Sequence, residues 1–208
     1  MTRLAFIGGG GFAKEALELA ELNGHEVVGY VADAQGVLDR PYWGVPAELL
    51  SRRDEFDAVC IAFGAVDRKS LLSRMEMLRW VGENSLPGQS LVSPHAIVSK
   101  GASIAMGAIV AHGVVISVDA LIGPFVILNT SAIVGHDAAI GANTTIAPGA
   151  FIGGAATIGE DCLIGPGTTI LQNLVVGRGV IVGVGASVVR NVAPGATVWP
   201  LRSKVVSG

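Results

Sequence analysis

The chain has 208 residues, half of them apolar and only 15% charged, with a formal net charge of −3. Scattered Lys and Arg on a near-neutral chain give no electrostatic footprint for nucleic acid, and the apolar content is ample for a buried core. The mean hydropathy of +0.58 invites a membrane reading of residues 104–128. His112 and Asp119 interrupt that stretch, however, and its apolar residues recur every six positions, so no membrane helix is expected.

In chain order, residues 3–8 read as a buried strand. Gly8, Gly9, Gly10 and Gly11 follow, and with Phe12 and Ala13 they give the spacing G-x-G-x-x-A. Residues 14–23 carry Ala16, Leu17 and Ala20 at helical spacing, and Gly24 ends them. Residues 26–31 form a second strand leading to Asp33. A strand, glycine loop, helix and strand with an acid about 20 residues on bring backbone amides and a helix N-terminus toward an anion. Residues 34–46 read as loop, 47–52 as a short helix, 57–63 as a third strand ending at Gly64, 66–81 as a helix, and 84–90 as a linker. The resulting Rossmann-like domain, residues 1–88, is half a full dinucleotide fold. A mononucleotide or nucleotide-sugar suits it better than NAD, bound at the carboxyl ends of the strands by Gly8, Gly10, Gly11, Phe12, Asp33 and Gly64.

From Val92 to Val188 every sixth residue is Val, Ile or Leu. Four positions later a small residue recurs, as at Ala132, Ala138, Thr144, Ala150, Cys162 and Thr168, and Gly often follows the aliphatic directly, as at Gly135, Gly153 and Gly165. A period of six fits neither a helix nor an alternating strand. It fits a parallel β-helix of hexapeptide repeats. The aliphatic fills a triangular prism, the small residue points inward near a corner, and glycine lets the corner backbone turn. The repeats make a little over five coils with no inserted loop, stacked roughly 4.8 Å apart. The coil domain is set at residues 89–208. Its last part, residues 193–206 with Pro194, Gly195, Pro200, Arg202 and Lys204, reads as a cap over an otherwise open sheet edge. Cys60 and Cys162 read as core residues, and with no signal peptide apparent the chain fits a reducing cytoplasm.

Two outward columns are apolar. One is Ile97, Val115, Ile133 and Phe151; the other is Ile109, Ile127, Leu163 and Ile181, broken by Thr145. Monomers rarely leave such stripes in water, and both are expected to be subunit interfaces. The chemistry lies close to the first stripe, near a boundary between subunits. His136 stands at a corner facing outward, beside Asp137, which can fix its tautomer. Gly154, one coil on, offers a bare amide next to the imidazole, as an oxyanion donor beside a base would. Asn129, one coil side earlier, is placed to contact the same ligand. A zinc hydratase on such a coil needs a close pair of histidines on one face; the spacing of His95, His112 and His136 offers none, and no metal is expected.

The glycine loop, the half-sized α/β domain, the N-T-S-A-I-V-G-H-D segment at 129–137 and the uninterrupted hexads together resemble the bacterial sugar acyltransferases of the sialic-acid O-acetyltransferase family. That family includes N-acetyltransferases acting on nucleotide-linked 4-amino sugars. The resemblance implies a left-handed coil, an exception to right-handed crossovers, and a homotrimer. It implies acetyl-CoA between subunits along the coils, at Gly154, Gly165, Pro166, Gly183 and Val184, and a nucleotide-sugar on the first domain. It assigns His136 as general base, Asp137 as its acidic partner, Asn129 beside the acceptor and the Gly154 amide facing the thioester oxygen. Thr145 and Phe12 stand where many relatives have His, and Gly64-Ala65-Val66 where many have Gly-Asp/Asn-Asn, so the departures fall on the acceptor side. The expected activity is acetyl-CoA-dependent acetylation of an amino sugar. O-acetylation of the sialic-acid type and a non-catalytic trimeric nucleotide-sugar scaffold are the alternatives.

Overall fold

The computed structural model describes residues 1–200. Its first part is a parallel sheet of β1 (Arg3–Ile7), β2 (Glu26–Val31) and β3 (Ala58–Ile61) in the order β2-β1-β3. Helices α1 (Gly11–Leu22) and α2 (Arg68–Glu83) and a 3-10 turn at Pro46–Leu50 complete it. The strands are apolar runs because both faces are covered. Ala13, Ala16, Leu19 and Ala20 of α1 pack with Leu4, Phe6 and Cys60, while Ala5, Ile7, Val59 and Ile61 pack with Val81 and Leu86 on the other side. The stretch read as a linker is held in place: Gly88 bridges to Val59, and Gln89 donates to the Val59 carbonyl.

Helix α2 starts at a capping box. The Asp67 carboxylate accepts from the Ser70 amide, and the Ser70 hydroxyl accepts from the Asp67 amide. The Ser70 hydroxyl and amide hold the Asp67 carboxyl below its ordinary 3.8. The folded state thus keeps this group ionised at pH values where the unfolded chain protonates it. The stabilisation is full above 3.8 and is lost as pH falls through the lower folded value. Asp67→Ala should therefore lower the melting temperature at pH 7, and the difference from wild type should shrink in melts run below pH 3.8.

From β4 (Leu91–Val92) to β20 (Ser187–Val188) a two-residue strand recurs every six residues, and β21 (Thr197–Val198) closes the series. The strands stack into three parallel sheets of seven, six and five, the faces of a left-handed prism. The first face contains β4, β10 (Ile127–Leu128), β13 (Thr145–Ile146) and β21. The second contains β11 (Ile133–Val134) and β14 (Phe151–Ile152), and the third β12 (Ala139–Ile140). The inward aliphatics and small residues form one core from Ala108 to Val188. Burying each large one is worth roughly 1.5–3 kcal/mol. Polar residues at small inward positions are satisfied by the coil backbone, as where Thr144 donates to the Gly159 carbonyl at 2.8 Å.

Three expectations change. The glycines that directly follow the aliphatics serve close approach rather than corner conformation. A Cβ on Gly135 would lie 2.6 Å from the Gly154 nitrogen, and one on Gly153 would lie 2.4 Å from that of Gln172. The left-handed corner position falls two residues later, at every sixth residue from Gly101 to Gly185, and at many of these sites Asp, Asn, Ser or Ala occupies it. Second, the repeat does not end at 193. Val192 bridges to Val176 and β21 pairs with β19 (Ile181–Val182), each 16 rather than 18 positions on, so the coil gains a further side. Arg202 and Lys204 of the expected cap lie outside the described residues. Third, the column Ile109, Ile127, Thr145 and Leu163 is buried under the first domain. Ile109 and Ile127 join the core around Leu4 and Phe6, and Leu163 packs with Ala65 and Leu71. That face is an intramolecular seam, not a subunit interface. The column Ile97, Ile133 and Phe151 on the second face stays exposed.

Candidate functional site

Each corner of the prism repeats, so one residue's neighbours above and below are set by the coil spacing. His136 follows β11 at the corner between the second and third faces. Its Nδ1 donates to Asp137 Oδ2 at 2.7 Å, and both side chains are exposed. Asp137 itself occupies the left-handed corner position (φ 55°), and its amide donates to the Val118 carbonyl at 3.0 Å. The carboxylate is thereby fixed beside the ring. With Nδ1–H engaged, Nε2 carries the free lone pair. Gly154 lies next to it along the stack: a Cβ there would fall 2.5 Å from Nε2. Among the described residues the Gly154 amide donates to no main-chain carbonyl.

A cavity of about 900 Å³ lies elsewhere, between the first domain and the corner joining the first and second faces. Gly10, Gly11, Phe12 and Gly64 line it from the first domain, and Asn129, Gly165, Pro166, Gly183 and Val184 from the coil. A second cavity of about 730 Å³ shares Phe63, Val66 and Asp67 with it and takes in Gly8 and Asp33. The expected residues thus separate into three groups: His136, Asp137 and Gly154; the main cavity; and Gly8 with Asp33. Asn129 does not meet His136 within one chain, because the two stand at corners on opposite edges of the second face.

The glycines of the loop divide likewise. Gly8 (φ 112°) packs on the Ala62 carbonyl, and a Cβ on Gly9 would strike the Tyr30 ring at 2.3 Å. Gly10 and Gly11 have open space beside them at the N-terminus of α1, so nothing in the fold itself demands glycine there. Sequence reasoning missed Glu15 and Trp199, which also line the main cavity. Glu15 falls one turn beyond the glycine loop on α1, and Val192 and Val198 resume the six-residue beat beside Trp199, so both signals were present. His95 and His112 do come together, with ring centroids 5.6 Å apart, contrary to the expectation from spacing. His112 is engaged by Ser93 at 2.6 Å and sits near Glu18. Among the described residues no three metal-binding side chains cluster.

A family model described as the PglD N-terminal domain matches residues 3–75. One for bacterial transferase hexapeptide repeats matches 119–154 and 155–190. No curated protein matches the chain. The acetyltransferase domain of PglB from Neisseria gonorrhoeae, solved with acetyl coenzyme A, is 31% identical over 99% of each chain, with a TM-score of 0.86. The chain belongs to the hexapeptide-repeat bacterial sugar acetyltransferases. A mutant of perosamine N-acetyltransferase from Caulobacter crescentus, solved with CoA and GDP-perosamine, is 26% identical over 100% of this acetyltransferase and 98% of that chain, with a TM-score of 0.89. WeeI from Acinetobacter baumannii shares the fold at 24% identity, with a TM-score of 0.82. In this acetyltransferase no described helix is long and apolar enough to cross a membrane.

Proposed function

We propose that this enzyme moves an acetyl group from acetyl-CoA to the amine of a nucleotide-linked amino sugar, with His136 as general base. The observation that carries the reading is the His136–Asp137 pair, whose free Nε2 sits beside the bare Gly154 backbone. His136 Nε2 takes a proton from the amine as its nitrogen forms a bond to the thioester carbonyl carbon. Asp137 holds Nδ1–H and supports the imidazolium that results. The Gly154 amide donates to the oxygen that gains charge. As the C–S bond breaks, the imidazolium returns the proton to the leaving sulfur. Pro166, Val184 and Trp199 give the cavity an apolar wall suited to the carrier arm of acetyl-CoA, and Gly10 and Gly11 place amides at a helix N-terminus suited to the nucleotide's phosphates. The Caulobacter relative, with CoA and GDP-perosamine bound, supports this choice of ligands.

The site is completed in a homotrimer. The exposed apolar second face carries the cavity corner along one edge and the His136 corner along the other. Packing three copies cyclically through that face sets the His136 of each against the cavity of the next. The free buried thiols of Cys60 and Cys162 suit a reducing cytoplasm.

Transfer from labelled acetyl-CoA to UDP- and GDP-linked 4-amino sugars tests the activity; no acetylated product from any of them would sink it. The loop carries a separate test. Because Gly10 has open space, Gly10→Val should fold and assemble normally. It should raise the acceptor KM by roughly tenfold or more, as expected for a displaced ligand, while the acetyl-CoA KM holds. An unchanged acceptor KM would remove the loop from the binding site.

A further inference from the structure

Helix α2 carries a cation with no counter-ion among the described residues. Arg74 is fully buried, and its guanidinium donates only to main-chain carbonyls: those of Ile61, Phe63 and Phe125, the last at 2.9 Å. Among the described residues its Nε has no partner. Burial pulls its pKa down to about 10, so it stays charged at neutral pH. A buried charge is costly, and a Met or Leu of similar volume commonly does as well or better where only packing is needed. What the guanidinium adds is a rigid planar fork that fixes several acceptors at once.

The three acceptors belong to two bodies. Ile61 ends β3, and Phe63 lies in the strip from Ala62 to Val66 that walls the main cavity and separates it from the second one. Phe125 stands at a left-handed corner of the coil (φ 55°), two residues before Ile127 on the cavity floor. Gly64 lies directly over that floor, with a Cβ position 3.7 Å from Ile127 Cδ1. We infer that Arg74 is a positioning residue: it ties the cavity wall at Phe63 to the coil at Phe125 and so sets the width of the acceptor pocket. Its functional consequence rests on the acceptor reading above. The mechanical part does not, since a tied wall is protected from exchange whatever the pocket binds.

The test uses the full chain with Arg74→Met, which keeps bulk without charge, and Arg74→Lys, which keeps charge without the fork. Amide hydrogen exchange of residues 61–66 should quicken by about tenfold or more in both, while the coil from β11 onward keeps its protection. The acceptor KM, and the Kd for UDP or GDP measured by calorimetry, should rise by about 10- to 100-fold; the acetyl-CoA KM should stay at the wild-type value. Should Arg74→Met not fold, Arg74→Lys carries the same readouts. Unchanged exchange overturns the inference even if no acceptor is ever found. Full recovery by Lys overturns it too, because charge alone would then suffice, and an equal loss of affinity for both substrates would show a general structural role. Absence of turnover by the wild type would instead defeat the acceptor reading and leave the exchange result to decide.

Discussion

His136→Ala is expected to lower kcat at saturating acceptor by about 10²- to 10⁴-fold, the usual worth of a positioned base, with the proposed trimer and the acetyl-CoA affinity retained. The inward packing is untouched by the change, since the imidazole is exposed at a corner, paired with Asp137 beside the Gly154 backbone. Asp137→Asn should cost less, because the carboxamide can still meet the ring while losing its support for the imidazolium. The acidic limb of the pH–rate profile, which reports protonation of the base, should vanish in His136→Ala. Gly154→Ala offers a check from the other side: its methyl would fall 2.5 Å from Nε2, so it should push the imidazole aside and lower kcat while leaving the acceptor KM. A kcat within threefold of wild type for His136→Ala, measured at saturation, would exclude this residue from the mechanism.

A charge on the second face should be almost as damaging, though it touches no proposed site residue. Ile133 and Phe151 are paired neighbours on that face, 38% and 41% exposed in the single chain. Ile133→Glu would bury an unpaired carboxylate in the proposed interface. Sedimentation should then show monomers, and turnover should drop by at least on the order of 10², because the imidazole is no longer held at a neighbour's cavity. Mixing gives a sharper form of the test. At low acceptor concentration, Gly10→Val and His136→Ala subunits assembled together should recover activity that neither has alone, since some sites then join an intact cavity to an intact imidazole. Monomers that work at the full rate would end the shared-site reading.

The coil was legible because its signal is one-dimensional. A six-residue beat of aliphatics says which side chains point inward, and the core from Ala108 to Val188 follows it. What covers an outward face is not in the beat. Ile109 and Ile127 look like Ile97 and Ile133 in sequence, yet one pair lies under the first domain and the other is exposed. The glycines misled for a related reason. Gly135 and Gly153 suggest backbone freedom, whereas their need is the space between coils, and the corners that do require left-handed backbone include Asp137 and Asn143. His136, Asp137 and Gly154 could be brought together from sequence because they are one coil apart. Their separation from Asn129 could have been read from the same geometry, since seven positions carry the chain past a whole face. Arg74 could not be found this way: on an otherwise charged helix nothing local marks it as buried.

The even spacing of strand partners also shapes how the chain comes to be folded. Each strand from β7 (Ile109–Val110) to β20 pairs with one 18 positions earlier, so every loop closed is short and of nearly equal cost. Each coil is held only by the coils next to it, so growth can propagate along one axis from whichever coil forms first rather than by a general collapse. The first coil is tied to the first domain by Asn23, whose side-chain amide donates to the Val92 carbonyl at 2.7 Å and whose side-chain oxygen accepts from the Val92 amide at 2.9 Å. Synthesis from the N-terminus delivers that end first and each added side afterwards. Loss of residues from the far end would shorten the stack, whereas loss of the Asn23 grip would free the first coil from the first domain.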